Sequence, residues 1–142
     1  MKRLYFLGYF FLISNLAISI SSFGQKDGDS KIIIKLNDSL GIYNKVKYAL
    51  VNTEFIVKDN GNKDTLTTYT QDFSGIFCKA TAIIETNTVT LTGVYGLKRL
   101  DDFGYTNDPK KYQPIIFYKG SQTWKIFKYA ASLIGGDVSY GQ

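Results

Sequence analysis

The pattern that most constrains this chain runs from Ile76 to Leu97, where two alternating segments face each other across a short turn. Ile76, Cys78, Ala80, Ala82 and Ile84 occupy alternate positions of the first segment, and Val89, Leu91, Gly93, Tyr95 and Leu97 those of the second. A loop at Thr86-Asn87 sets Ile84 opposite Val89, Ala82 opposite Leu91, Ala80 opposite Gly93, Cys78 opposite Tyr95 and Ile76 opposite Leu97. Side chains alternate between faces along a strand, so all of these pairs turn to a core while Thr88, Thr90 and Thr92 turn away. A one-residue slip would exchange the two sets, and the pattern therefore pins the register. The small residues Ala80, Ala82 and Gly93 leave a depression on the core face that a bulky side chain from a facing sheet would fill, or an apolar ligand if the sheet closed into a barrel.

The rest of the chain repeats the theme with less certainty of register. Lys31 to Leu36 presents Ile32, Ile34 and Leu36 on one face. Asn60-Gly61 is a strong hairpin signal, and a turn centred there sets Val57 opposite Asp64, Phe55 opposite Leu66 and Val51 opposite Thr70. The same stretch, Asp59 to Asp64, resembles a calcium loop in composition, but Gly61 and Lys63 stand where oxygen ligands are needed, so it reads as a turn. A third turn at Gly120-Ser121 pairs Phe117 with Trp124 and Ile115 with Ile126, which places Trp124 on an apolar strand face. Asp38 to Lys47 stays unassigned: Asp38 or Ser39 suits the cap of a short helix presenting Leu40, Tyr43 and Val46, while Gly41 opposes one. These segments predict an all-β domain of about seven antiparallel strands over 31–134, a β-sandwich, with a small lipocalin-like β-barrel as the alternative. Residues 25–30 read as a polar leader and 135–142, after Gly135-Gly136, as a flexible tail.

Residues 1–24 read as a secretory signal peptide. Lys2 and Arg3 form the positive start, Leu4 to Ile13 the apolar centre, and Ser22-Phe23-Gly24 supplies small residues where signal peptidase cuts. Gln25 then begins the exported chain. Leu4 to Phe23 is long enough to be weighed as an uncleaved anchor, but Gly8, Ser14, Asn15, Ser19, Ser21 and Ser22 dilute it. The one cysteine is not at the cleavage point, so no lipid anchor is expected there. The reading is a protein of the periplasm or the extracellular medium of a bacterium, with no stable membrane anchor after cleavage.

Composition narrows the function classes. The formal charge of +5 drops by two when Lys2 and Arg3 leave, and Arg99 is then the one arginine. Base reading and phosphate gripping favour the forked guanidinium, and no basic stripe interleaved with aromatics appears, so a nucleic-acid partner is not expected. A single cysteine makes no internal disulfide. Its alternation with Ile76 and Ala80 predicts a buried, inert thiol at Cys78. The chain holds no histidine, which removes serine-histidine and cysteine-histidine nucleophile pairs and every imidazole metal site. No catalytic set, metal or cofactor is expected.

The segment from Lys98 to Gln113 stands out, because such a length without period is characteristic of binding loops or disordered segments. It carries Arg99, Asp101, Asp102, Tyr105, Asp108 and Tyr112 as the candidate ligand- or partner-binding residues. Aromatic rings stack on a sugar or peptide face while acids and an arginine orient it; the competing reading packs Leu100, Phe103 and Tyr105 over a sheet end. Two strings, Asp38-Ser39-Leu40 and Asp64-Thr65-Leu66, have the acidic-hydroxyl-aliphatic form of bacterial O-glycosylation acceptors. The function expected is an exported, non-enzymatic binding or interaction module with a protein or glycan partner. A carrier of small apolar ligands is the first alternative, and a hydrolase using carboxylates of Asp101, Asp102 or Asp108 the second.

Overall fold

The computed structural model describes residues 24–97, 100–101, 104–105 and 112–142. Residues 1–23 of the expected signal lie outside the described residues. The described residues are mostly β, with one antiparallel sheet of eight strands, a small second sheet and two helices among them. Strand β1 (Lys31–Lys35) is followed by helix α1 (Ile42–Asn52), then β2 (Val57–Lys58), β3 (Thr65–Thr68), β4 (Gln71–Phe73), β5 (Ile76–Glu85) and β6 (Thr88–Leu97). The two-residue strands β7 (Leu100–Asp101), β8 (Gly104–Tyr105) and β9 (Gln113–Pro114) precede helix α2 (Gln122–Ile134) and β10 (Asp137–Gly141).

The sheet runs β10-β1-β6-β5-β3-β2, with β4 beside β5 and β9 beside β6. Its centre is the β5–β6 hairpin, and the register is the expected one, from Ile84 opposite Val89 through Ala80 opposite Gly93 to Ile76 opposite Leu97. The sheet is open, so it does not form the closed barrel of the alternative reading. The layer on its core face consists of α1 and α2, where a sandwich would place a second large sheet: Ile42, Val46, Ala49 and Leu50 of α1 and Phe127, Ala130, Ala131 and Ile134 of α2 close over Ile32, Ile34, Leu66, Ala82, Val89 and Leu91. Each large aliphatic or aromatic side chain removed from water in this way contributes about 1.5–3 kcal/mol.

Three local expectations are corrected. The third hairpin does not form, because residues 122–134 are helical. Ser121 caps that helix, its hydroxyl accepting from the Trp124 amide at 3.2 Å, and the buried positions Trp124, Phe127, Ala130, Ala131 and Ile134 recur at helical spacing. Trp124 is buried as expected, and its ring meets Phe117 at 5.8 Å, but from a helix. The first hairpin pairs Val57 with Thr68 and Lys58 with Thr67, not with Asp64 and its neighbours. Side chains hold its longer loop: Asp59 accepts from the Gly61 amide, Asn60 from that of Asn62, and Asn62 from that of Asp64. These local bonds stabilise a turn of more than two residues. Finally, residues 137–141 are no loose tail: β10 pairs with β1 from Lys31 opposite Gly141 to Lys35 opposite Asp137.

The stretch left unassigned holds α1, with Gly41 at its N-cap in the left-handed region at φ 69°, where glycine is at little disadvantage. The leader is also tied down. Gly28 donates to the Phe117 carbonyl, Phe117 to that of Asp29, and Ser30 to that of Gly141.

Cys78 has no exposed surface, and burial pushes its thiol up to about 12 from the usual 9.0. Native protein is therefore expected to resist iodoacetamide and to react only once unfolded, because the thiolate is the nucleophile. Below about pH 9 both states keep the proton and the site contributes its full stability; between about 9 and 12 only the unfolded chain releases it, so stability falls as pH rises. Denaturant titrations should show the advantage of the wild type over Cys78→Ala shrinking across that window. Rapid native labelling would contradict the placement of the thiol in the core.

Candidate functional site

The helices cover one face of the sheet, and the register determines what stands on the other. Thr67 lies opposite Lys58 on one side and Thr81 on the other, and Thr81 lies opposite Thr92, so one row across β2, β3, β5 and β6 reads Lys58, Thr67, Thr81, Thr92. Neighbouring strands are about 4.8 Å apart, which makes the row a ladder of hydroxyls ending in an ammonium. The next row places Lys79 opposite Val94. A depression of about 440 Å³ opens over these rows, with Ala80 and Gly93 among its lining residues.

Each lysine of the depression is held by an aromatic ring. Lys58 Nζ lies 4.9 Å from the centre of the Tyr69 ring and Lys79 Nζ 4.8 Å from that of Tyr112. Such contacts attract a cation by the ring quadrupole and limit where a long flexible side chain can place its charge. Tyr112 reaches this position because β9 pairs with β6 at Val94 and Tyr95. Its ring passes over Gly96, where an added Cβ would come within 3.4 Å of it, and its hydroxyl stands 3.5 Å from Thr70 Oγ1. The tyrosine is half-buried and spans the open face.

On the core side, the depression expected over Ala80, Ala82 and Gly93 is filled by the ring of Phe127, which takes the space a Gly93 side chain would need. The bulky group comes from α2 rather than from a second sheet. Next to it, the buried Thr68 hydroxyl accepts from the Ala80 amide at 2.9 Å. That bond fixes β3 against β5 just beyond the last backbone pair, Thr67 with Thr81.

Of the residues singled out in the Lys98 to Gln113 segment, Tyr112 is brought to this face. Asp101 and Tyr105 lie in the small β7–β8 hairpin, where Leu100 pairs with Tyr105 and Asp101 with Gly104. Arg99, Asp102 and Asp108 lie outside the described residues. Lys58, Thr67, Lys79, Thr81 and Thr92 were not among the expected site residues. The signal for them was present in the run Thr88, Thr90, Thr92 on the outward face of the second strand, which by itself reads only as a solvated sheet surface. Among the described residues no three acidic or thiol groups gather where a metal ion could sit, and no helix is long and apolar enough to cross a membrane.

The two acceptor-like strings differ in access. Ser39 lies in an exposed turn where Asp38 accepts from the Leu40 amide and Leu40 projects into solvent, whereas Thr65 begins β3 and Leu66 is fully buried. Comparison with known proteins finds no similar family, no similar characterised sequence and no similar solved structure.

Proposed function

We propose that this chain is an exported, non-enzymatic binding module that takes its protein or glycan partner on the open sheet face. The observation that carries the reading is the depression over Lys58, Thr67, Lys79, Thr81 and Thr92, with Tyr112 from the long segment braced against one of its lysines. Its volume falls in the range of roughly 300–1,000 Å³ typical of ligand sites. Beside Ala80, Gly93 and Val94 the lining carries threonine hydroxyls and two ammonium groups, and these give a polar partner hydrogen-bonding groups that the apolar cargo of a carrier would leave unused.

A ring placed in the middle of the ladder tests this directly. Thr81→Trp fills the depression from a half-buried position on the outward face, leaving the helix-covered core untouched. When the exported protein is immobilised and exposed to envelope extract, the component it retains should be lost with Thr81→Trp and kept with Tyr129→Ala, whose side chain is exposed on α2. Equal retention by the plugged and unplugged proteins would contradict the reading, as would failure to retain anything.

A further inference from the structure

The binding reading leaves the partner's chemistry open, and the lining of the depression narrows it. Both charged groups there, Lys58 and Lys79, are cations, and among the described lining residues no carboxylate accompanies them. Their ammonium groups are held over Tyr69 and Tyr112, and the threonines of the ladder come from three different strands. Among the described lining residues nothing apolar is larger than Val94. Protein partners usually anchor on aromatic or large aliphatic side chains in desolvated pockets, and the two aromatic rings beside this floor, Tyr69 and Tyr112, are engaged by its lysines. A ligand rich in hydroxyls and carrying negative charge matches what is present: threonine hydroxyls both donate and accept, and the two ammonium groups only donate and attract anions.

Resting on the proposal that this face binds, we infer that the ligand is an anionic glycan, with carboxylates or sulfates directed to Lys58 and Lys79 and sugar hydroxyls to Thr67, Thr81 and Thr92. The strand spacing gives the ladder a regular repeat, and a repeating chain of sugars can meet successive rungs. The two lysines fix the anion-bearing positions, and the threonine rungs beside them tell a sugar chain from a simple salt.

Calorimetric titration of the exported protein with polygalacturonate, chondroitin sulfate and dextran separates the alternatives. At least one of the two acidic polymers should bind, which of them showing whether carboxylate or sulfate is preferred, and dextran should not. Binding should weaken as salt is raised, since exposed charges are screened. The double variant Lys58→Gln/Lys79→Gln should bind about tenfold more weakly or worse, because charge-assisted bonds are the strong ones. Circular dichroism of that variant shows that it still folds. Thr81→Val, which keeps the shape and removes one hydroxyl, should weaken binding further when added to the lysine pair. Equal binding of dextran, or an unchanged affinity in the lysine double variant, would overturn the anionic assignment. Failure of all three polymers overturns the glycan inference, while the retention experiment with Thr81→Trp independently decides whether the face binds anything.

Discussion

Trp124→Ala is expected to cost about 3–5 kcal/mol, the range for deleting a large aromatic side chain from a core. The indole is 2% exposed. It packs between Phe117, at 5.8 Å, and Tyr140, at 6.1 Å, and so joins α2 to both the segment before it and the edge strand β10. Its removal leaves a cavity among elements that are held by different parts of the sheet and cannot all move to fill it. Against a typical total stability of about 5–15 kcal/mol, the loss should lower Tm by more than about 10 °C in a domain of this size. Trp124→Phe should lose much less. The indole Nε1 is buried with no acceptor among the described residues, so replacing the ring by one with no N–H removes a desolvated donor together with some contact area. A Tm unchanged in Trp124→Ala would mean that the helix does not pack where it is described.

Gly93→Ala is expected to be nearly as damaging, although it adds one methyl group. That methyl would stand 2.6 Å from the Lys79 carbonyl oxygen and inside the ring of Phe127. Phe127 has no room to withdraw, because it is buried against Phe55 in an edge-on contact at 5.9 Å. Relief must therefore come from parting β6 and β5 near the centre of the sheet. Overpacking of this kind costs roughly 1–3 kcal/mol, occasionally more, and the backbone contact puts Gly93 at the upper end. Gly93→Ala/Phe127→Leu should recover part of the loss, because the smaller side chain vacates the space the methyl enters. Chemical denaturation of the single and double variants measures both terms. Additive destabilisation would show that the two residues do not share that space.

The parts of the fold legible in the sequence are those where one face decides the matter. Along β5 and β6 one set of alternate positions, Ile76 to Ile84 and Val89 to Leu97, is free of charged side chains and threonines, while the other set carries Lys79, Thr81, Thr88, Thr90 and Thr92 among Phe77, Ile83 and Val94. One register faces the first set to the core, so ten successive pairs followed from the pattern. Helix α2 escaped notice for the opposite reason. Trp124, Ile126, Phe127 and Tyr129 are residues at home in strands, and their composition masked both the spacing of Trp124, Phe127, Ala130, Ala131 and Ile134 and the capping serine at 121. The first hairpin slipped because Asn60-Gly61 is a turn signal of either short or longer loops, and the choice was made by side chains of Asp59, Asn60 and Asn62 bonding to the backbone. The candidate site was half visible. Tyr112 could be chosen as an aromatic in a long unpatterned segment, but its partner Lys79 lies 33 positions earlier in the chain, and Thr67, Thr81 and Thr92 become one row only when three strands are set side by side.

That row is where the functional account stands or falls, and the backbone amides of Thr67, Thr81 and Thr92 report on it without any substitution. The measurement is a two-dimensional ¹H–¹⁵N spectrum of the exported protein titrated with short acidic oligosaccharides cut from polygalacturonate or chondroitin sulfate. The account predicts that the largest shifts fall on the open face, at Lys58, Thr67, Lys79, Thr81, Thr92 and Tyr112, while the amides of α1 and α2 stay still. Shifts centred on the outer surfaces of the two helices, or a spectrum unchanged by either oligosaccharide, would contradict it.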